Sequence, residues 1–378
     1  MSFFPIIDMK KKILVVGPTP PPYHGCSVMN EMLFQSDLIR QFNIKFLDTS
    51  DRRGITNIGT LDLTNIFLAL FHGIKFVYFL LRYNPDLVYI SISQVLMGYL
   101  RDLLFLIPAR LINKKILIHL HGGAFHEFYK SMPSLLIKLT RYIFKGRVWG
   151  IVLGDNLKFC FDGLIESPRI YCVPNGIKDM SFRKESHKAE NGTIRLLYLA
   201  NLMKSKGFMD LLKIIPEAVR QHSNLVFAFA GEKIDYAEME KANALIANYK
   251  LEQHVKMLGV VKGQEKEKLL AESDIFVFPP IAPEGQPLVI LEAMSAGLPI
   301  ITTDQGAIRE TVVDGINGFI IPPGKPEVIV EKILLLARDQ KLRAQMGLSS
   351  REIFVKNYTL DRWANNIADL FQEVLKEN

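Results

Sequence analysis

Phe276-Val-Phe-Pro-Pro-Ile-Ala-Pro-Glu284-Gly-Gln-Pro-Leu-Val-Ile-Leu-Glu292-Ala-Met-Ser-Ala-Gly-Leu-Pro-Ile-Ile-Thr302 is the stretch whose reading decides the fold. The short β-rich run Ile275 to Phe278 predicts a strand, which Pro279, Pro280 and Pro283 prevent from continuing. Pro287 suits a helix start, where its missing N–H is one that a helix leaves unpaired anyway, so a helix is expected from about Leu288 to Ser295. Gly297 and Pro299 follow in the order of a helix C-terminus, and Leu298 to Thr303 reads as the next strand.

The chemistry of this stretch lies in two carboxylates. Glu284 falls in the loop before the helix and Glu292 in its second turn. Between them Gly285 lets a ligand approach the backbone, and the free N–H groups near Leu288 and Val289 can receive an anion. Gln286 and Pro287 complete the loop. Carboxylates accept hydrogen bonds from paired hydroxyls, so the constellation suits a ligand with phosphate in the middle and polyols at both ends. Either glutamate alone reads equally well as a partner of the helix dipole or as part of a solvated face.

At 378 residues, the chain is long for one core, and two domains are expected. Its composition is that of a globular protein, 49% hydrophobic and 22% charged. Cys26, Cys160 and Cys172 have no metal-ligand spacing, and with no signal peptide they point to a reducing cytoplasm. Charge is uneven: residues 1–180 carry 21 Lys and Arg against 13 Asp and Glu, while residues 181–378 carry 25 against 26. The basic half suits a phosphate-bearing acceptor or an anionic membrane surface. No basic reading motif accompanies it, so nucleic acid is not an expected partner. The apolar stretches Ile66 to Leu81 and Leu103 to Ile118 are too interrupted to span a membrane; they suit burial in the core or interfacial contact.

The chain opens with a basic cluster and a strand, Lys10 to Gly17, then a proline-rich loop to Gly25 and a helix from about Val28 to Arg40. Gly25 stands where bare backbone can meet phosphate or sugar, although a proline-stiffened turn explains it as well. No GxGxxG follows the strand, which argues against a dehydrogenase. Strands are expected at 44–47, 87–92, 148–153 and 170–173. The strand Lys114 to His121 ends in a glycine loop at Gly122, where open α/β sheets bind ligands, and His119 and His121 share one face. Polar residues 178–193 read as a linker. A second β/α series follows: strand 194–200, helix 208–221, strand 225–230, helix 237–249, strand 255–258, helix 264–272, the opening stretch, strand 319–321, helix 326–338, and a final helix 360–376 with Trp363. Lys204 and Lys206 sit where a strand gives way to a helix, a place for an ammonium to neutralise pyrophosphate.

The string from Glu284 to Ile300, with two glutamates separated by seven residues, resembles the motif of retaining glycosyltransferases of the GT-B fold, the group 1 or family 4 enzymes. The order of motifs matches over most of the chain: the Gly25 loop, the His121 loop, Lys206-Gly207 and Glu284 to Glu292. The resemblance implies an α/β protein of two Rossmann-like, doubly wound parallel-sheet domains facing a cleft. Residues 1–180, joined by the helix at 360–378, would hold the acceptor, and residues 190–358 the nucleotide-sugar donor. It further implies transfer of a sugar from a nucleoside diphosphate sugar to a hydroxyl, with retention at the anomeric carbon. Glu292 would hold the donor ribose and Glu284 the sugar hydroxyls; Lys206, Leu288 and Val289 would take the charge of the leaving diphosphate. His121 would touch the donor sugar, Gly25 and Gly122 would line the acceptor and phosphate loops, and Val261 would lie where the base is seated. Asn201 stands where the family usually has an arginine.

No metal or other cofactor is expected, since lysine and helix N-termini can replace a cation and the chain has no Asp-x-Asp pair. A lipid-linked or surface-polysaccharide glycan is the expected acceptor, met at the inner face of the cell membrane. A nucleotide-sugar epimerase of the same fold and a non-catalytic sugar-nucleotide binder are the other readings.

Overall fold

The computed structural model describes residues 10–53, 62–180 and 192–377. In chain order its elements begin with β1 (Lys12–Gly17), α1 (Gly25–Gln35), α2 (Leu38–Gln41), β2 (Asn43–Asp48), α3 (Leu63–Arg82) and β3 (Leu87–Ser91). Next come α4 (Leu96–Leu111), β4 (Lys115–His119), α5 (Phe125–Ser131), α6 (Ser134–Phe144), β5 (Val148–Val152) and β6 (Ile170–Cys172). They continue as β7 (Ile194–Leu199), α7 (Phe208–Gln221), β8 (Leu225–Ala230), α8 (Tyr236–Asn248), β9 (Val255–Gly259) and α9 (Gly263–Ala271). The rest are β10 (Ile275–Phe278), α10 (Leu288–Ser295), β11 (Ile300–Thr303), α11 (Ile308–Thr311), β12 (Gly318–Ile321), α12 (Pro326–Arg338), α13 (Gln340–Asn357) and α14 (Leu360–Lys376).

The chain divides into two compact units, Met1–Pro174 with Leu360–Asn378, and Asn175–Thr359. The first holds a parallel sheet in the order β2-β1-β3-β4-β5-β6, the second a parallel sheet in the order β12-β11-β10-β7-β8-β9. Central strands β3, β4, β5, β10 and β11 are buried at every residue, while the edge strands β2 and β9 each have one buried residue. Helices cover both faces of a parallel sheet, so its inner strands need apolar residues on both sides, and that is why they read as unbroken apolar runs. In each sheet the order reverses once, between β1 and β3 and between β7 and β10. The crevice beyond the carboxyl ends of strands at such a reversal is where α/β sheets bind ligands.

In the first unit, α14 lays its apolar stripe down: Trp363, Ile367, Leu370, Phe371 and Val374 are buried, and Phe371 meets Phe42 and Tyr89 edge-on. Each such side chain contributes about 1.5–3 kcal/mol. Lys115 Nζ donates to the Val374 and Leu375 carbonyls at 2.8 and 2.7 Å, satisfying oxygens that a helix end leaves unpaired.

Several boundaries differ from the sequence reading. Residues 175–180 go with the second unit, because Asn175 N–H donates to Gln286 Oε1 (2.6 Å) and Met180 N–H to Ser295 Oγ (3.0 Å). Of the polar stretch taken as a linker, residues 181–191 lie outside the described residues. The first helix starts at Gly25, not Val28: His24 caps it by accepting from Ser27 N–H while Ser27 Oγ accepts from His24 N–H. It stops at Gln35, and Ser36 turns its hydroxyl back onto the Leu33 carbonyl (2.8 Å) before α2. Helix α13 has no counterpart in the sequence reading, since Met346, Gly347, Ser350 and Phe354 are its only buried positions and give little periodic signal. Helix α3, for which core burial was one reading, is mostly exposed, with Phe67 at 68%, Ile74 at 73% and Leu81 at 70%.

Candidate functional site

The loop between β10 and α10, residues 279–287, is held from three sides within the second unit. The β7–α7 loop grips it first: Ile281 and Ala282 N–H donate to the Ser205 carbonyl (3.0 and 3.2 Å), and Gly207 (φ 75°) lies so close that a Cβ there would be 1.9 Å from the Pro279 oxygen. The β11–α11 turn holds it second, with Ala307 N–H donating to the Gly285 carbonyl (2.8 Å). Residue 306 must be glycine, since φ is 57° and a Cβ would sit 1.8 Å from the Glu284 oxygen. Third, Asn175 donates to Gln286 through its backbone N–H and, through Nδ2, to the Gln286 carbonyl (3.0 Å).

This frame brings Lys206 and Glu284 together, Nζ to Oε1 at 2.6 Å. Burial pushes the Glu284 carboxyl up, and the Lys206 ammonium pulls it part of the way back. Glu292, one face further along α10, pairs with Lys266 Nζ at 2.5 Å, and its other oxygen, Oε2, is buried with no partner. A buried carboxylate oxygen without a donor is costly to hold unless a ligand hydroxyl supplies one. Helix α10 has Pro287 as its N-cap, with no side-chain cap bond and no acidic residue in its first turn, so the helix itself leaves the N-terminus at Leu288 and Val289 unneutralised. Two ammonium groups, two carboxylates and an uncapped helix start thus surround the ends of β7 and β10, at the reversal of the sheet. The arrangement can accept hydrogen bonds from sugar hydroxyls and donate to a diphosphate. Lys266 was not singled out from the sequence; no motif spacing marks it, because only the folded chain brings its ammonium to Glu292.

Other expected donor contacts fall differently. Gln286 is 5% exposed and fully committed inward, Oε1 accepting from Asn175 and Nε2 donating to Thr311 Oγ1 at 2.9 Å. It braces the loop through both ends of its amide. Val261 buries its side chain, leaving its backbone as the part a base could meet. Asn201 turns its carbonyl to Met203 N–H (2.9 Å) and Tyr198 OH (3.3 Å). Among the described residues no arginine ion pair lies in the β7–α7 loop, and Lys204 and Lys206 form its one-turn 3-10 segment.

In the first unit, His121 lies just beyond β4, its ring stacked on His119 at 3.9 Å between centroids. Burial, then the neighbouring His24, push its pKa down to about 3, so the ring is neutral at working pH. Its Nε2 is 3.3 Å from Ser91 Oγ, which donates to Asn30 Oδ1 (2.9 Å); Nδ1 is buried without a partner. His119 bonds through Nδ1 to the Tyr89 hydroxyl. Gly17 permits this network, since a Cβ would fall 2.4 Å from Asn30 Nδ2. Gly25 faces open space, whereas Gly122 is packed on Gln94, whose Nε2 a Cβ would meet at 2.2 Å. Gly122 therefore makes room for Gln94, which accepts from Ala124 N–H (2.7 Å).

The chain superimposes on a glycosyltransferase from Rickettsia africae ESF-5 with a TM-score of 0.78 at 18% identity, over 98% of this chain and 100% of that one. Anabaena Alr3699/HepE, solved in complex with UDP, gives 0.71 at 17% identity, over 96% and 100%. At such identities the likeness is one of fold, and the fold is GT-B, two Rossmann-like units with parallel sheets. Spore coat protein SA of Bacillus subtilis (strain 168) is 30% identical over 183 residues, 47% of this chain and 48% of that protein, so the match spans about half the length of that relative. Residues 179–353 match the glycosyl transferases group 1 family, and the second unit, with its Lys206, Glu284 and Glu292, belongs to it.

Proposed function

We propose that this chain is a retaining glycosyltransferase that moves a sugar from a nucleoside diphosphate sugar to a hydroxyl of a lipid-linked or surface-polysaccharide glycan. The observation that carries the reading is the meeting of Lys206, Glu284 and Glu292 around the uncapped start of α10. Positive charge from Lys206 and the Leu288 and Val289 N–H groups is aimed where a departing diphosphate gathers negative charge, which is the largest help a protein gives to such a step. Glu292 Oε2 accepts from the ribose, and Glu284, oriented by Lys206, from the sugar. In the first unit, neutral His121 offers Nδ1 to a hydroxyl. With the counter-charge supplied in this way, activity survives EDTA.

The acceptor class is supported by the basic excess of residues 1–180, which suits a phosphate-bearing glycolipid at a cytoplasmic membrane face. Thermal-shift titration with UDP, GDP, ADP and CMP in EDTA tests the donor site: one diphosphate series should stabilise the protein, as any ligand of the folded state does. Anomeric NMR of the product from a lipid-linked acceptor then tests retention. Conversion of donor without acceptor would favour the epimerase, and no stabilisation by any nucleotide would sink the donor reading.

A further inference from the structure

Helix α3 carries an unpartnered apolar face. Ile66, Phe67, Leu70, Ile74, Tyr78 and Leu81 fall on one side of a helix of 20 residues, all exposed, with Phe67 at 68% and Ile74 at 73%. The opposite side is already used: His72, Phe76, Phe79 and Leu80 are buried, Phe76 packs on Phe105 of α4 (5.3 Å), and Gly73 lies against Leu104. The helix is therefore amphipathic in reverse, apolar inward for the core and apolar outward for something else. By length and composition alone it could cross a membrane, which corrects the reading of this stretch as too interrupted to do so. It cannot do so here, because it connects β2 and β3, both strands of one parallel sheet in the first unit, and lies packed along that sheet.

Charge identifies what covers the outer face. The helix has no acidic residue. Lys75 and Arg82 are exposed on its flank, and the carboxylate at its start, Asp62, is engaged as the N-cap and paired with Arg53. Two copies of this chain joined face to face would bring like charges together, whereas anionic headgroups complement them. We infer that the outer face of α3 is a membrane-docking surface, lying flat in the interface of an anionic lipid bilayer with Phe67, Leu70 and Ile74 among the acyl chains. This deepens the lipid-linked-acceptor reading, and its functional meaning rests on that reading.

The test uses the full chain with vesicles of phosphatidylcholine, alone or mixed with phosphatidylglycerol. Wild type should sediment with the mixed vesicles, and the exposed-site double variant Phe67→Glu/Ile74→Glu should lose partitioning by at least about tenfold. Lys75→Glu/Arg82→Glu should lose about tenfold on the anionic vesicles only. Phe67→Trp reports insertion directly, since Trp149 and Trp363 are buried: its emission should shift to the blue on adding anionic vesicles. Wild type that ignores vesicles, a double variant that binds as well as wild type, or an unshifted Phe67→Trp overturns the inference. So does a wild-type dimer in light scattering that the double variant breaks, which would make a second copy the occupant. Nucleotide-dependent thermal shifts are recorded for the same proteins. A blue shift without nucleotide stabilisation would sink the donor site and keep the docking face; the reverse would sink only the docking face.

Discussion

Lys206 and Glu284 lie 78 positions apart in the chain and 2.6 Å apart in space, each delivered by the loop after a neighbouring central strand. Because β7 and β10 are adjacent at the reversal of the sheet order, their following loops open into one crevice, and the pair is a direct product of the topology.

Removing the ammonium strands a buried carboxylate. Lys206→Met should destabilise the protein by about 3 kcal/mol, the lower end for a broken buried pair because Lys206 is partly exposed. Adding Glu284→Gln should recover part of that, since a neutral amide needs no counter-charge. Urea denaturation of the four proteins of this cycle measures the coupling, and purely additive effects would mean that the pair is not coupled.

Glu292→Gln should raise the dissociation constant for the nucleoside diphosphate about tenfold, the loss of one hydrogen bond to a charged group. Lys266→Met should raise it less, about threefold, by releasing the Glu292 carboxylate from its aim. Calorimetric titration reads both, and unchanged affinity in Glu292→Gln would remove it from the site.

Gly306→Ala and Gly315→Ala form a matched pair. Both have positive φ, 57° and 76°, but a Cβ at 306 strikes the Glu284 carbonyl and one at 315 meets open space. Gly315→Ala should cost about 1 kcal/mol of backbone strain. Gly306→Ala should cost more and also abolish the thermal stabilisation by nucleotide, because the loop carrying Glu284 must move. Equal Tm losses and equal nucleotide responses would contradict this.

Gln286→Leu should lower Tm by removing partners from Asn175 N–H and Thr311, at about 1–3 kcal/mol for the buried groups left unpaired. KM for the donor should stay within about twofold. A large KM increase at unchanged Tm would make Gln286 a donor contact.

His121 and His119 both have folded pKa values below the ordinary histidine range, chiefly through burial. A lowered pKa means that the unfolded chain binds protons that the folded one refuses, so stability falls as pH drops below about 6.5 and goes on falling toward the folded values. His121→Gln should flatten that decline between pH 7 and 4.5, roughly the range in which unfolded histidine charges. A Tm profile identical to wild type would show that His121 does not carry it.

Local chemistry made much of this legible. The limits of α7, α10, α12 and α14 follow from apolar period, Pro287, Pro326 and the glycine stops, because the signals for those ends lie within a few residues of them. Glu284 and Lys206 could be picked out because each sits at a strand-to-helix junction, which short sequence patterns mark, and Glu292 because it follows Glu284 at the spacing of a motif. Where a side chain answers a partner outside its own segment, no local pattern marks it: the bonding of Gln286 to Asn175 and Thr311 and the packing of Gly122 on Gln94 are of this kind, and the cap by His24, close in sequence, escaped the helix-start signals as well.

By itself the sequence determined the alternation of strand and helix, since burial on both faces of a parallel sheet demands unbroken apolar strands and striped helices. It determined, too, which residue types stand at the strand ends. Only the tertiary structure decided the strand order, and with it that Lys206 meets Glu284, that Lys266 meets Glu292, and that α3 turns apolar residues away from the core. The physical reason is range: propensity, capping and turn chemistry act over a few residues, whereas an ion pair or an uncovered face depends on which distant segments the packed sheet sets side by side.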